Sequence, residues 1–255
     1  IAFVELGEKK LSYDEYDSMA TFYQNNFQKF IEYNIKDVEL VKKLEDKMKL
    51  LELAVSLAYA AKVNFNDVFG QVRTWDSIIY HYLMEHNIVI PPKTTSKKDA
   101  QYAGAYVKDP IVGMHDWVVS FDLNSLYPHL IMQYNISPET KVSNNKDYSI
   151  TPDSILRGKD VPHDAYSVAA NGTCYTKEHQ GFLPALMEKL YKERKMYKQK
   201  MIECEKEKQK VLTNPPAMGK DVACRRLDKE IAKYHNFQLV RKIQLNSAYG
   251  AIGNE

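Results

Sequence analysis

Three groups of residues have the types and spacing that chemistry on phosphates requires. The first is Asp122 with the Leu123-Asn124-Ser125-Leu126-Tyr127-Pro128 run behind it. A carboxylate leading into a helix start can hold a divalent cation, while the free backbone N–H groups of the first turn face an anion. Tyr127 stands in that first turn, where a bulky ring limits what fits. The second group is Lys242, Asn246, Tyr249 and Gly250, whose steps of four and three place the Lys, Asn and Tyr on one helical stripe. An ammonium, an amide and a ring suit a phosphate, a polar edge and a stacked base or sugar. Arg194 and Lys198, four apart, share a face in the same way. The third group is Tyr33 and Asp37, an i, i+4 pair able to hold a metal and position a water.

Each group has a plainer reading. Asp-Leu-Asn-Ser alone is an ordinary helix start, Arg194 with Lys198 alone a solvated basic face, and a lone Tyr/Asp pair common helix surface.

The elements that must position these residues are mostly helical. Residues 1–30 carry little pattern. From Phe30 onward Val41, Leu44, Met48, Leu51, Val55 and Ala58 recur at three- and four-residue steps, a face that must pack on something. A second helix spans Trp75 to Glu85. Pro91-Pro92 and the polar, basic Lys93 to Gln101 mark a boundary. Trp117 to Leu123, apolar and rich in β-branched and aromatic residues, predicts a buried strand ending near Asp122. A helix then runs from about Leu126 to Asn135. Residues 140–180 predict strands and loops, with Asn171-Gly172 a hairpin turn. Two long helices follow, about Leu183 to Leu212 and Asp221 to Tyr249, broken at Asn214-Pro215-Pro216 and closed by a Gly250 C-cap. A short loop between long helices makes an antiparallel hairpin.

Charge singles out that hairpin. The 255 residues hold 35 Lys+Arg and 33 Asp+Glu, a net +2. Leu183 to Ser247 alone has 16 basic and 8 acidic residues, or +8, leaving −6 for the remainder. A basic arm on an acidic body suits a polyanionic partner. Hydrophobic residues at 44% and charged residues at 27% exclude full disorder, and no apolar run approaches the ~20 residues of a membrane span. Cys174, Cys204 and Cys224 are odd in number and lack metal-ligand spacing, which predicts a reducing compartment.

Taken in order, the pieces resemble family B DNA polymerases. Ser120 to Pro128 is similar to motif A, Asp-x-x-Ser-Leu-Tyr-Pro, and Lys242 to Gly250 to motif B, Lys-x-x-x-Asn-Ser-x-Tyr-Gly. Tyr33 to Asp37 resembles the third exonuclease motif, Tyr-x-x-x-Asp, and Tyr102-Ala103-Gly104-Ala105 the element joining exonuclease and polymerase domains. Thr74-Trp75-Asp76 and Ile136-Ser137-Pro138-Glu139-Thr140 are most similar to replicative polymerases of T-even-like tailed phages. The resemblance implies an α+β, mostly helical chain. Residues 1–49 would be the C-terminal part of a 3′–5′ exonuclease domain, 50–93 a helical connector, 94–180 part of the palm, and 181–255 a fingers hairpin.

It also implies roles. Asp122 and the Leu123 carbonyl match ligands of the catalytic Mg²⁺ pair, and Asp37 an exonuclease metal ligand. Ser125 and Leu126 match backbone donors to a dNTP, and Tyr127 the steric gate against a ribose 2′-OH. Arg194, Lys198 and Lys242 match cations on the phosphates; Asn246, Tyr249 and Gly250 match the nascent-pair pocket. Primer-template DNA and dNTP are the implied partners, with a sliding clamp and replisome proteins as candidates. No membrane is implied, and the setting is the cytoplasm of a phage's host. The motif Tyr-Gly-Asp-Thr-Asp and the first two exonuclease motifs do not occur in these residues, and both ends read as cuts, so the chain alone is expected to be inactive. Three rival readings are a nucleic-acid- or nucleotide-binding module without catalysis, a reverse transcriptase, and a coiled-coil arm.

Overall fold

The computed structural model describes residues 1–90, 92, 107–160, 165–214 and 219–253. The Lys93–Gln101 connector, the Tyr102–Ala105 element and the prolines at the hairpin tip lie outside the described residues. Helix dominates, and a small three-stranded sheet accompanies it. The chain divides into two compact units, Ile1–Tyr59 and Ala60–Glu255.

The first unit is built on α3 (Phe27–Met48), with α1 (Ala2–Leu6) and α2 (Met19–Asn25) packed against it. Ser18 and Asn26 start α2 and α3 by accepting hydrogen bonds from the backbone N–H groups of Thr21 and Lys29, as short polar caps do. Phe22 is fully buried, with the rings of Tyr13, Tyr16, Phe30 and Tyr33 around it. So residues 1–30, patternless as sequence, form an aromatic knot. The apolar stripe expected to pack from Val41 to Ala58 does not continue as one face. Lys49 takes a left-handed conformation (φ 54°), ends α3, and gives α4 (Leu50–Ala61) a new phase. Val41, Leu51 and Val55 stay exposed.

In the second unit, α5 (Gln71–Glu85), α6 (Leu126–Tyr134), α8 (Phe182–Thr213) and α9 (Lys220–Ile252) share one core. Trp75, Ile131, Leu183, Leu186, Met187, Leu190, Leu245 and Ala248 are among its buried members. The sheet has the order β1-β3-β2 and is antiparallel throughout, from β1 (Lys141–Asn144), β2 (Tyr166–Val168) and β3 (Thr173–Thr176), with the short α7 (Pro152–Leu156) between β1 and β2. Gly172 makes the β2–β3 turn at φ 81°, and a Cβ there would sit 2.1 Å from the Asn145 carbonyl oxygen. The predicted Asn-Gly turn therefore needs its glycine twice over, for its φ and for its space.

The expected hairpin is present. Cross-links between α8 and α9 run in opposite order along the two helices: Glu193 to Arg241, Tyr197 to Phe237, Cys204 to Glu230, Lys208 to Asp228. Gly250 is not a C-cap. The helix continues through it to Ile252, with Gly253 at the cap, because Ala248 and Ala251 are buried in the core and hold the last turn helical. The Trp117–Leu123 expectation also fails. The described segment 107–123 has no strand, Trp117 is 97% exposed and Phe121 91%. A strand needs a ladder partner, and among the described residues β1, β2 and β3 pair only with one another.

The start of α8 is fixed by the Asn135–Thr140 loop. Asn135, left-handed at φ 56°, donates from Nδ2 to the carbonyls of Thr176 and His179 and accepts from Gly181 N–H at 2.9 Å. Glu139 accepts from Phe182 N–H at 2.6 Å, while Ser137 Oγ donates to its other oxygen. A carboxylate at a helix N-terminus satisfies an orphan donor and complements the dipole. A Cβ on Gly181 would meet Ser137 Cβ at 2.5 Å, so nothing larger fits there.

Candidate functional site

Asp122 and Leu123 are exposed at the end of the irregular segment 107–123, and α6 begins three residues beyond Leu123. Ser125 precedes that helix in a left-handed conformation (φ 52°) and makes no capping bond with its side chain. Instead its hydroxyl accepts a 3.2 Å hydrogen bond from Arg194 Nη1 on α8, 69 residues away in sequence. His129, one turn into α6, closes on the Ser125 carbonyl through Nδ1 at 3.0 Å and sets its ring edge-on to Tyr191 of α8. The turn after Asp122 is thereby tied to the basic hairpin.

A cleft of about 300 Å³ opens beside this tie, lined by Asn124, Tyr191, Arg194, Lys195, Lys198, Gln199 and Ile202. Three cations on α8 and an amide from the turn suit a phosphate-bearing ligand. Leu126 is exposed, so the first turn of α6 offers its orphan N–H donors near the surface. Tyr127 stacks on Tyr249 of α9 with centroids 4.5 Å apart and planes 15° apart. Residues of the motif A-like and motif B-like stretches thus meet by their rings. Lys242 and Asn246 lie exposed on the same stripe of α9 as Tyr249, as their spacing predicts, and Gly250 is exposed in the last turn. Neither Lys242 nor Asn246 lines the cleft.

Tyr33 and Asp37 belong to the first unit, one turn apart on α3. Lys10 serves both: its Nζ donates to Asp37 Oδ2 at 2.9 Å and lies 5.9 Å from the centre of the Tyr33 ring. The Asp37 carboxylate beside it raises the Lys10 pKa. The other Asp37 oxygen is buried with no hydrogen-bond partner among the described residues. Lys10, 27 residues from Asp37, carries no periodic or spacing signal, and sequence reasoning missed it. Ser137 and Glu139 stand out in the sequence only through family resemblance, Asn135 only as the end of a helix, and Tyr191 and His129 not at all.

The donor set fits Mg²⁺ in kind but not in number. Asp122 and the Leu123 carbonyl are hard oxygen donors of the type Mg²⁺ takes. Among the described residues no three His, Cys, Asp or Glu side chains gather as a metal site. The three cysteines are free, and burial followed by the Glu230 carboxylate pushes the Cys204 thiol up, so it is a poor nucleophile. No helix of the described residues is long and apolar enough to cross a membrane.

A carboxylate-bearing helix start tied to a basic helical hairpin suits a protein that handles nucleotide phosphates, and the fold narrows the class. The family B DNA polymerase of the archaeon Pyrobaculum calidifontis superposes over 97% of this chain and 28% of its own, with a TM-score of 0.62 at 22% identity. The family is fixed by sequence: residues 63–225 match the family model for DNA polymerase family B, and the chain belongs to that family. The DNA-directed DNA polymerases of Escherichia phage RB69 and Enterobacteria phage T4 are 33% and 32% identical over the whole chain. The catalytic subunit of DNA polymerase delta from Schizosaccharomyces pombe is 30% identical over 76% of this chain and 18% of its own. The chain spans about a third of the two phage polymerases, 31% of each.

Proposed function

We propose that these residues are the part of a phage-type DNA-directed DNA polymerase that receives the incoming dNTP opposite a primer-template, and that Ile1–Lys49 belong to its proofreading domain. The observation that carries this reading is the Arg194–Ser125 hydrogen bond with its neighbouring cleft, since it sets a group of cations beside the carboxylate-bearing turn. Residues 50–93 act as a helical connector, 94–180 as part of the palm and 181–255 as the fingers.

The chemistry assigned to the chain's own groups is neutralisation and positioning. Arg194, Lys195 and Lys198 take up negative charge on the β- and γ-phosphates, with Lys242 joining as the hairpin closes on the nucleotide. The Ser125 and Leu126 N–H groups orient the triphosphate, and Tyr127, braced by Tyr249, fills the space a 2′-hydroxyl would need. Asn246 and Gly250 line the pair's other side. Mg²⁺, when bound, would add Lewis-acid activation, with Asp122 and the Leu123 carbonyl among its ligands. Asp37 with Tyr33 would serve the proofreading site. Expressed alone, the 255 residues should neither extend nor trim a primer, because Asp122 is the one polymerase carboxylate and Asp37 the one exonuclease carboxylate assigned among them; detectable extension or trimming overturns that.

The test is Arg194→Ala in the complete polymerase, followed by dNTP-dependent single-turnover incorporation. The expected loss is on the order of 10²–10³-fold in kcat/KM, with primer-template affinity nearly unchanged. Equal loss of both marks Arg194 as a general DNA contact and favours the binding-module reading.

A further inference from the structure

The two ends of the basic hairpin are anchored in different ways. The α8 end is pinned by the Asn135–Glu139 loop through several side-chain bonds to backbone groups. The α9 end, where the Lys242-Asn246-Tyr249 stripe lies, is held through α5. Trp75 of α5 is 2% exposed within the core, and its indole Nε1 donates a 3.0 Å hydrogen bond to Ser247 Oγ. The Ser247 hydroxyl in turn donates to the Gln244 carbonyl at 3.1 Å, one helical turn back. A second tether on α9 is Arg241, which bonds Glu193 of α8 and the Oε1 of Gln244. Gln244 is 1% exposed and so belongs to the buried face of α9.

We propose that Trp75 is a positioning residue for nucleotide selection: its indole N–H fixes the rotation of α9 about its own axis, and so aims Lys242, Asn246 and Tyr249 at the incoming nucleotide. A buried indole N–H needs a partner, so the bond is not optional decoration on the packing. Ser247 sits between Asn246 and Tyr249 in sequence, so the tether acts in the turn that carries them. Side-chain tips stand roughly 5–6 Å from a helix axis, so a rotation of about 20° moves them by about 2 Å. A shift of that size loosens the grip of Lys242, Asn246 and Tyr249 on the nucleotide in the ground state and the transition state alike, a loss that reads as a higher KM. Leu245, Ala248 and Ala251 hold this face of α9 in the core, but apolar packing is non-directional, and the indole bond adds the directional restraint on its rotation.

The inference rests on the polymerase reading above, and the test separates the two. Trp75→Phe keeps an aromatic ring and deletes the donor; Ser247→Ala deletes the acceptor; Ser247→Thr keeps a hydroxyl. In the complete polymerase, Trp75→Phe and Ser247→Ala should each raise the KM for dNTP roughly 3–10-fold, the worth of one hydrogen bond. Primer-template affinity and kcat should hold, the double variant should be no worse than either single one, and Ser247→Thr should restore KM. Amide hydrogen exchange supplies a readout independent of activity, with faster exchange expected at Asn246–Tyr249 in Trp75→Phe. Additive losses, an unchanged KM, or unchanged exchange would each overturn the proposal. If the unsubstituted protein fails to use dNTP while exchange still responds, the polymerase reading fails and Trp75 is a purely structural tether.

Discussion

Asp37 and Asp122 are the two carboxylates that chemistry would ask for, and their surroundings are opposites. Asp37 sits within a 22-residue helix, its charge matched by Lys10 and one oxygen buried. Asp122 ends an exposed segment without a strand, and its side chain is open to solvent. A carboxylate held by a packed helix is oriented before any ligand arrives, and a lysine offsets its desolvation. A carboxylate on an exposed, irregular segment gains its orientation from whatever packs against that segment. The precision near Asp122 begins only at Ser125, where Arg194 and His129 take hold.

The sharpest way to break this contrast is to remove the exposed carboxylate. Asp122→Asn in the complete polymerase should lower primer extension by about 10³-fold or more, since stabilising charge at the transferring phosphate contributes most of the acceleration in such reactions. Trimming of a 3′ end should persist, and equal loss of both would deny that the two carboxylates serve separate sites. Next in size is Tyr127→Ala, which should relax discrimination against ribonucleotides by on the order of 10–100-fold. Unchanged sugar discrimination in competitive incorporation would remove the gate role. Third is Gly181→Ala, where the new methyl collides with Ser137 and Thr140 and should cost about 1–3 kcal/mol. A thermal melt unchanged from the parent would show that the α8 anchor is softer than its bonds suggest.

The smallest effect concerns charge in the first unit. Hydrogen bonds from Lys36, then Lys43, hold the Glu8 carboxyl down at about 2, against an ordinary 4.5. A depressed carboxylate contributes stability that is full above its unfolded pKa and lost as pH falls through its folded one. Unfolding midpoints should therefore drop between about pH 4.5 and pH 2, and Glu8→Gln should flatten that slope. Added salt should shrink the difference, because the pairs are solvent-facing. The raised Lys10 has the opposite sign: its contribution holds below its ordinary pKa of 10.5 and is lost as pH rises through the higher folded value.

Much of this was legible in the residues themselves. The hairpin, its boundaries to within a few positions, α6, and the Asn171-Gly172 turn follow from period and turn chemistry, which act over three or four residues. The stripe of Lys242, Asn246 and Tyr249 is legible for the same reason, since helical spacing alone puts them on one face. The strand expected at Trp117–Leu123 failed because a strand depends on a partner, and propensity concerns only the segment itself. Gly250 as a stop failed as well, since buried alanines on both sides outweigh a glycine's cost within a helix.

Composition and spacing determined the basic arm and the carboxylate-led helix start, and the family was legible only as a resemblance of the Ser120–Pro128 and Lys242–Gly250 motifs, because these are properties of residue type and order. Tertiary structure alone decided that Arg194 bonds Ser125, that Tyr127 stacks on Tyr249, that Lys10 neutralises Asp37 and that Trp75 reaches Ser247 across 172 positions. Each joins residues whose separation far exceeds a helical turn. No local rule encodes such a pair; only the packing of whole elements around a shared core brings it together.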